Sequence, residues 1–456
     1  MPRARAQTTV PLGESQSIEA HEQEPQVQLV EPPGPNQTAP LVTITLQDAI
    51  ERARKYNGQF QAALSNRKIA QQDRIAARNA ILPTISYRSE ALLTQGNGRT
   101  TIGRFVTNDG VHVYRSWGVL HEDLSPANYL GTAYNRALAG EALADAQAEI
   151  ARRGLSVTVT KLYYGLAGAQ RAFATAQAAL RTAEHFYQIT QDAEREGQVA
   201  HSDVVQAEIQ DRQLEQAFDE ARLVMESARL DLAVLVSPQL DENFTIVDDL
   251  DSPVELPAFS EAQRMAGHLN PDLAAAIESL REANLDVTSA KGAFLPAFYT
   301  DSVYGIEANA FALHSVNVEE PKAGVLPNLG YFITVGVNVP VWDWSTLRSK
   351  LREAESKREQ ARIEFSEAQR QVLNNLYSSY NEASVARAAV GQSRTTADLA
   401  AESLRLITLR YQAGAASALD VVTAENTATA ARNAYAEAEI RYRVAISTLE
   451  TVTGSF

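Results

Sequence analysis

The chain repeats itself, and the repeat limits what it can fold into more than any other feature. Residues 46–83 align with 259–296 without gaps at an offset of 213: Leu46 with Phe259, Ala49 with Ala262, Asn57 with Asn270, Phe60 with Leu273, Asp73 with Asp286, and Leu82-Pro83 with Leu295-Pro296. Farther along the offset becomes 217, matching Tyr163 with Tyr380, Gly197 with Gly414, Asp203-Val204-Val205 with Asp420-Val421-Val422, and Leu232 with Leu449. The chain therefore reads as two halves, 41–237 and 258–456, joined by residues 238–257. Pro238, Asp241, Asp248, Asp249, Asp251, Pro253 and Pro257 give that joint a linker composition.

Each half predicts the same order of elements. An opening helix of about 37 residues runs to Pro83 or Pro296, because proline cannot continue a helix and biases its predecessor towards extended backbone. Two strands follow, at about 84–95 and 111–120 in the first half and about 297–308 and 330–341 in the second. Tyr331, Ile333, Val335, Val337, Val339 and Val341 share one face, and Phe332, Thr334, Gly336 and Asn338 the other. That period of two suits a strand with one apolar and one wet face. In the first half, Ile85, Tyr87 and Ala91 alternate with Ser86, Arg88 and Glu90. Val113, Trp117 and Val119 read as the apolar face of the next strand, interrupted by Arg115. Gly96-Asn97-Gly98 and Asn108-Asp109-Gly110 supply the loop between them.

Long proline-free helices come next, at about 131–195 and 345–412. Leu347, Leu351, Ala354, Arg358, Ala361, Phe365, Ala368 and Val372 step by four and three, a coiled-coil pattern. At 1.5 Å per residue such helices span ~100 Å, too long for a compact globule. Gly197 and Gly414 end them, glycine being the usual left-handed terminator. Helices then return over about 201–236 and 417–453.

Composition narrows the function. With no cysteine, disulfides, thiolate metal sites, cysteine nucleophiles and a lipidated N-terminal cysteine are excluded. A net charge of −15 argues against nucleic acid as a partner. No apolar run is long enough for a transmembrane helix, but a barrel strand needs only ~9–11 alternating residues. Residues 1–40 hold seven of the 17 prolines and five Glu against two basic residues. This composition predicts a disordered leader, without the apolar stretch of a secretory signal. No glycine-rich phosphate loop, metal pair or nucleophile constellation is present, so no enzyme, cofactor or metal is expected. His112, His121 and Glu122-Asp123 near strand ends lack ligand spacing. Four such strands leave open edges that a bilayer forbids, and a barrel takes at least ~8 strands. Several copies must therefore contribute strands jointly.

Certain segments carry a resemblance. They are Leu46-x-x-Ala49…Asn57…Leu82-Pro83, Phe259-x-x-Ala262…Asn270-Pro271-x-Leu273…Leu295-Pro296, Pro340-Val341-Trp342-Asp343, Gly197…Asp203-Val204 and Tyr411-x-x-Gly414…Asp420-Val421. In this duplicated order, over about 41–456, the chain closely resembles the TolC family of outer-membrane efflux channels. The resemblance implies an α+β membrane channel: a homotrimer whose twelve strands form one barrel in the outer membrane, continued by a twelve-helix coiled-coil tunnel in the periplasm. It implies a passive exit duct of a tripartite efflux or type I secretion system in a Gram-negative-type bacterium. A periplasmic adaptor (membrane fusion protein) and an inner-membrane pump of RND, ABC or MFS type would open its periplasmic tip. A periplasmic adaptor is an alternative, but it has one hairpin and no duplicated order. A structural rod is another, and the alternating strands argue against it.

The same resemblance assigns site residues. Asp420 matches a tip aspartate lining the entrance, the alternative being a helix N-terminal carboxylate. Where the family often carries a second acid and a basic residue, this chain has Thr423 and Ala416. Tyr411 and Asp203 match positions that tie the tip closed. The alternatives are a buried seam residue for Tyr411 and a cap for Asp203, with Ser202 competing. Gly197 and Gly414 match the turns that touch the adaptor, and Pro83, Pro296 and Pro340 mark the junction of barrel and tunnel. Trp117, Trp342 and Trp344 fit an interfacial aromatic belt, with core packing as the alternative.

Overall fold

A computed structural model describes residues 42–93, 112–237, 244–308, 311–316 and 324–454. The leader, the loop turns at 96–98 and 108–110, Pro238 and Asp241 lie outside the described residues. The first half contains β1 (Val42–Ile44), α1 (Leu46–Tyr56), α2 (Gly58–Asn79), β2 (Thr84–Leu93), β3 (His112–Leu124), α3 (Pro126–Tyr129), α4 (Thr132–Arg195) and α5 (His201–Val236). The second contains β4 (Phe244–Ile246), α6 (Phe259–Leu269), α7 (Pro271–Gly292), β5 (Ala297–Ala308), β6 (His314–Val316), β7 (Val325–Pro327), β8 (Leu329–Asn338), α8 (Thr346–Gln412) and α9 (Ala418–Thr453). The element boundaries follow the sequence offsets. Both α1 and α2 recur 213 residues on as α6 and α7, and β3 and α5 start 217 residues before β8 and α9.

The opening helix of each half is two helices. Asn57 takes an extended conformation (φ −70°, ψ 117°) and its side chain accepts a hydrogen bond from Phe60 N at 2.9 Å. Asn270 does the same for Leu273 N at 3.0 Å, with Pro271 in the first helical position. An asparagine that caps the following helix breaks the preceding one, and Pro271 supplies no amide to bridge the gap.

Four strands form one antiparallel sheet in the order β2-β3-β5-β8. Ile85 sits opposite Leu120, Leu120 opposite Ser302, and Ser302 opposite Ile333. With Tyr87, Tyr304, Tyr331, Val335 and Val337 they make one face that is apolar and exposed. The other face carries Arg115 bridging Glu90 at 2.7 Å and Glu307 at 2.9 Å, and His121 at 2.7 Å from Asp301. The facing reading of β3 is thereby reversed. Val113, Trp117 and Val119 share the polar face with Arg115, because their partners across the ladder are Leu92, Gly305 and Val303 rather than the apolar band. β8 stops at Asn338, so Pro340, which has no amide for a ladder, lies beyond it.

The joint between the halves is a packed strap. β4 pairs in parallel with β1, and Phe244, Ile246 and Leu250 enter a core with Ile44, Ile50, Phe60, Val159, Tyr163, Leu166 and Leu232. Tyr163 Oη donates to Val247 O at 2.7 Å, Tyr442 Oη to Val254 O at 2.8 Å, and Tyr380 Oη to Pro257 O at 3.2 Å. Arg171 reaches Asp248 at 2.5 Å, Asp251 at 2.8 Å and the buried Glu439 at 2.7 Å. Tyr163 and Tyr380, equivalents in the duplication, thus hold the same strap from opposite halves.

Candidate functional site

The two hairpins α4–α5 and α8–α9 end in turns of the same design. Gly197 has φ 70° and Gly414 φ 71°. Gln198 N donates to Ala193 O, and Ala415 N to Arg410 O, both at 2.8 Å. Each glycine therefore closes its helix in a left-handed Schellman turn. No atom lies within 4 Å of a Cβ built on either one, so both turns project into open space.

After its turn each returning helix starts differently. α9 begins with a capping box: Asp420 Oδ2 accepts from Ser417 N and Ser417 Oγ at 2.8 Å, and Asp420 N donates back to Ser417 Oγ at 3.3 Å. Those hydrogen bonds hold the exposed Asp420 carboxyl below the usual carboxylate range. Asp420 is thus the acid in the first turn of a capping box whose cap is Ser417. α5 starts after Ala200 with no side-chain cap, so neither Asp203 nor Ser202 serves as one.

All four long helices meet just above the turns. Phe186 of α4, Ala207 of α5, and Ala418, Val421 and Val422 of α9 form one buried cluster, with Ile407 and Tyr411 of α8 against it. The Tyr411 ring packs on Phe186 with centroids 5.1 Å apart, and its hydroxyl lies 3.5 Å from Thr190 Oγ1. Tyr411 therefore links α8 to α4 across the hairpins. The structure does not pair it with Asp203.

Sequence reasoning missed a polar pair and an acid one turn farther in. Gln210 Nε2 of α5 donates to Asn426 Oδ1 of α9 at 2.9 Å, and Gln210 is buried. Beside Asn426, Glu425 is 3% exposed. Its burial follows from its spacing of three and four from Val421, Val422 and Ala428, a pattern visible in the chain but masked by the charge.

At the other end, Pro83 and Pro296 fall between a helix and a strand. Trp342 and Trp344 are exposed and meet edge to face at 5.6 Å. Trp117 is separated from them. It lies on the polar face of the sheet under Arg115 at 5.1 Å and against Phe332 at 5.7 Å, so it does not share the apolar band of Ile85 and Tyr331. No helix among the described residues is long and apolar enough to cross a membrane.

Comparison with known proteins agrees with this arrangement. Residues 264–455 match the family model described as outer membrane efflux protein. The outer membrane efflux protein BepC of Brucella suis is 24% identical over 417 residues, covering 90% of this chain and 85% of its own. The alkaline protease secretion protein AprF of Pseudomonas aeruginosa is 23% identical over 423 residues, covering 90% and 84%. Among solved structures, the outer membrane protein VceC of Vibrio cholerae superposes with a TM-score of 0.75 at 19% identity, over 90% of this chain and 96% of that one. The second half of the chain thus matches the outer membrane efflux protein family, and nine-tenths of the chain is similar to outer-membrane efflux and secretion proteins, which supports a place in the outer membrane.

Proposed function

We infer that this chain forms a passive exit duct through the outer membrane, serving a tripartite efflux or type I secretion system. The observation that carries the reading is the four-stranded sheet set on long helical hairpins. One face of that sheet is apolar and exposed, the other is polar, and β2 and β8 are left as unpaired edges. Unpaired edges cannot sit in a bilayer. β2 of one copy would pair with β8 of the next, and three copies would close a twelve-stranded barrel. The helical layer supports the same closure. α2 and α5 pack on α4 at one edge of the helical layer, and α8 packs on α7 and α9 at the other, with Leu399, Leu406 and Leu409 exposed.

In a homotrimer three Asp420 carboxylates would ring the periplasmic tip and favour cations. Tyr411 supports closure by joining the hairpins, while Gly197 and Gly414 present the turns that a periplasmic adaptor would meet. An inner-membrane pump would drive export through the opened tip. The protein purified in detergent should run as a trimer by native mass. A clean monomer would refute the barrel. Asp420→Asn keeps an acceptor for the cap but removes the charge, and should weaken block by polyvalent cations in single-channel records. Unchanged block would remove Asp420 from the constriction.

A further inference from the structure

Between β8 and α8 the chain makes a turn that core packing does not explain. Trp344 and Ser345 have φ of 55° and 67°, the only non-glycine residues with positive φ among the described residues. A bulky side chain is strained there. Burial does not offset the strain: Val341 is 88% exposed, Trp342 76% and Trp344 85%. Asp343 maintains the turn, its Oδ1 accepting from Ser345 N at 3.0 Å and its Oδ2 from Leu347 N. The turn therefore holds two indoles outward, directly beyond the apolar face of the sheet.

The charges that follow are placed against their own helix. Arg348 and Arg352 lie in the first two turns of α8, four residues apart and so on one face. Both are exposed, and neither makes an ion pair or side-chain hydrogen bond with a described residue. Cations at a helix N-terminus oppose the helix dipole. Two of the acids nearby are already engaged: Asp343 caps the helix, and Glu353 pairs with Lys357 at 2.7 Å. Indoles settle at the headgroup level of a bilayer, and arginine stems extend from apolar surroundings to reach phosphates.

We propose that Trp342, Trp344, Arg348 and Arg352 form a binding site for the headgroup of an anionic phospholipid at the periplasmic leaflet of the outer membrane. The proposal rests on the duct reading, which puts the sheet in the bilayer. The full chain carrying Trp117→Phe has only these two tryptophans, so its emission reports the site alone. Reconstituted in bilayers, it should be quenched by phosphatidylglycerol and by phosphatidylcholine with brominated acyl chains, phosphatidylglycerol binding the more tightly. Arg348→Gln with Arg352→Gln should remove that preference, by about fivefold for each neutralised cation. Equal quenching by the two lipids in the parent would overturn the headgroup site. Absent quenching in a conducting channel would also overturn it, by placing the indoles against another copy. Failure to insert and conduct at all would overturn the duct reading together with the site.

Discussion

Glu425 lies in the seam where α5 meets α9, one turn beyond Val421 and Val422, and it makes no ion pair with a described residue. Burial alone pushes its carboxyl from the ordinary 4.5 up to about 7. A carboxyl raised in the folded state contributes stability below its unfolded value and loses it as the pH climbs through the folded value. The window is therefore from 4.5 to about 7, and the tip seam is weaker on its alkaline side. The difference corresponds to roughly 3 kcal/mol. The Gln210–Asn426 hydrogen bond across the same seam contributes only about 1 kcal/mol, so ionised Glu425 outweighs it. Amide exchange of peptides spanning 201–210 and 418–428, corrected for intrinsic rates, should show protection falling between pH 5.5 and pH 8. In Glu425→Gln, which keeps the shape without a titrating group, protection should stay level. The same fall in the variant, or no fall in the parent, would refute the reasoning.

Other perturbations follow from the same geometry. Arg171→Met strands the buried Glu439 and should lower stability by roughly 2–3 kcal/mol in thermal unfolding, whereas Asp251→Ala, on the exposed rim of the cluster, should cost less than about 0.5 kcal/mol. Gly454 has φ 82°, and a Cβ there would lie 2.5 Å from Leu269 Cβ. Gly454→Ala should therefore cost more than Gly414→Ala, which has open space and meets only the left-handed penalty of about 1 kcal/mol. Asn57→Ala removes the cap of α2 and should cost about 1 kcal/mol, read as lost helicity by circular dichroism.

The long helices were legible because their ends are set by local chemistry. Gly197, Gly414 and the run without proline act within a few residues, and the expected spans agree with α4, α5, α8 and α9 to within about a residue. Features that depend on distant partners were not legible. Asn57 reads as one polar residue in a helix until its side chain is seen capping α2. β1 and β4 are three residues each and pair across some two hundred positions, too short for periodicity to register. The facing of β3 was misread because Trp117 and Val119 are apolar, yet they line the polar side, where they pack on Phe332 and Val303. At the tip, Asp420 and Tyr411 were found through resemblance, and Glu425 escaped because a charge in a seam position reads as solvent-facing.

The strap that crosses α4 and α9 also sets the mechanics of the hairpins. It grips α9 at Tyr442 and Arg443, whose guanidinium donates to Ser252 O at 2.8 Å. From that anchorage to Ala418 is 24 residues of unbroken helix, or ~36 Å. α9 is thus a lever with a clamped fulcrum. A tilt of about 10° at the clamp would carry its far end roughly 6 Å, against the packing of Ala418, Val421 and Val422 on the neighbouring helices. Any rotation of α9 about the strap is therefore felt mainly at its turn and little beside the strap.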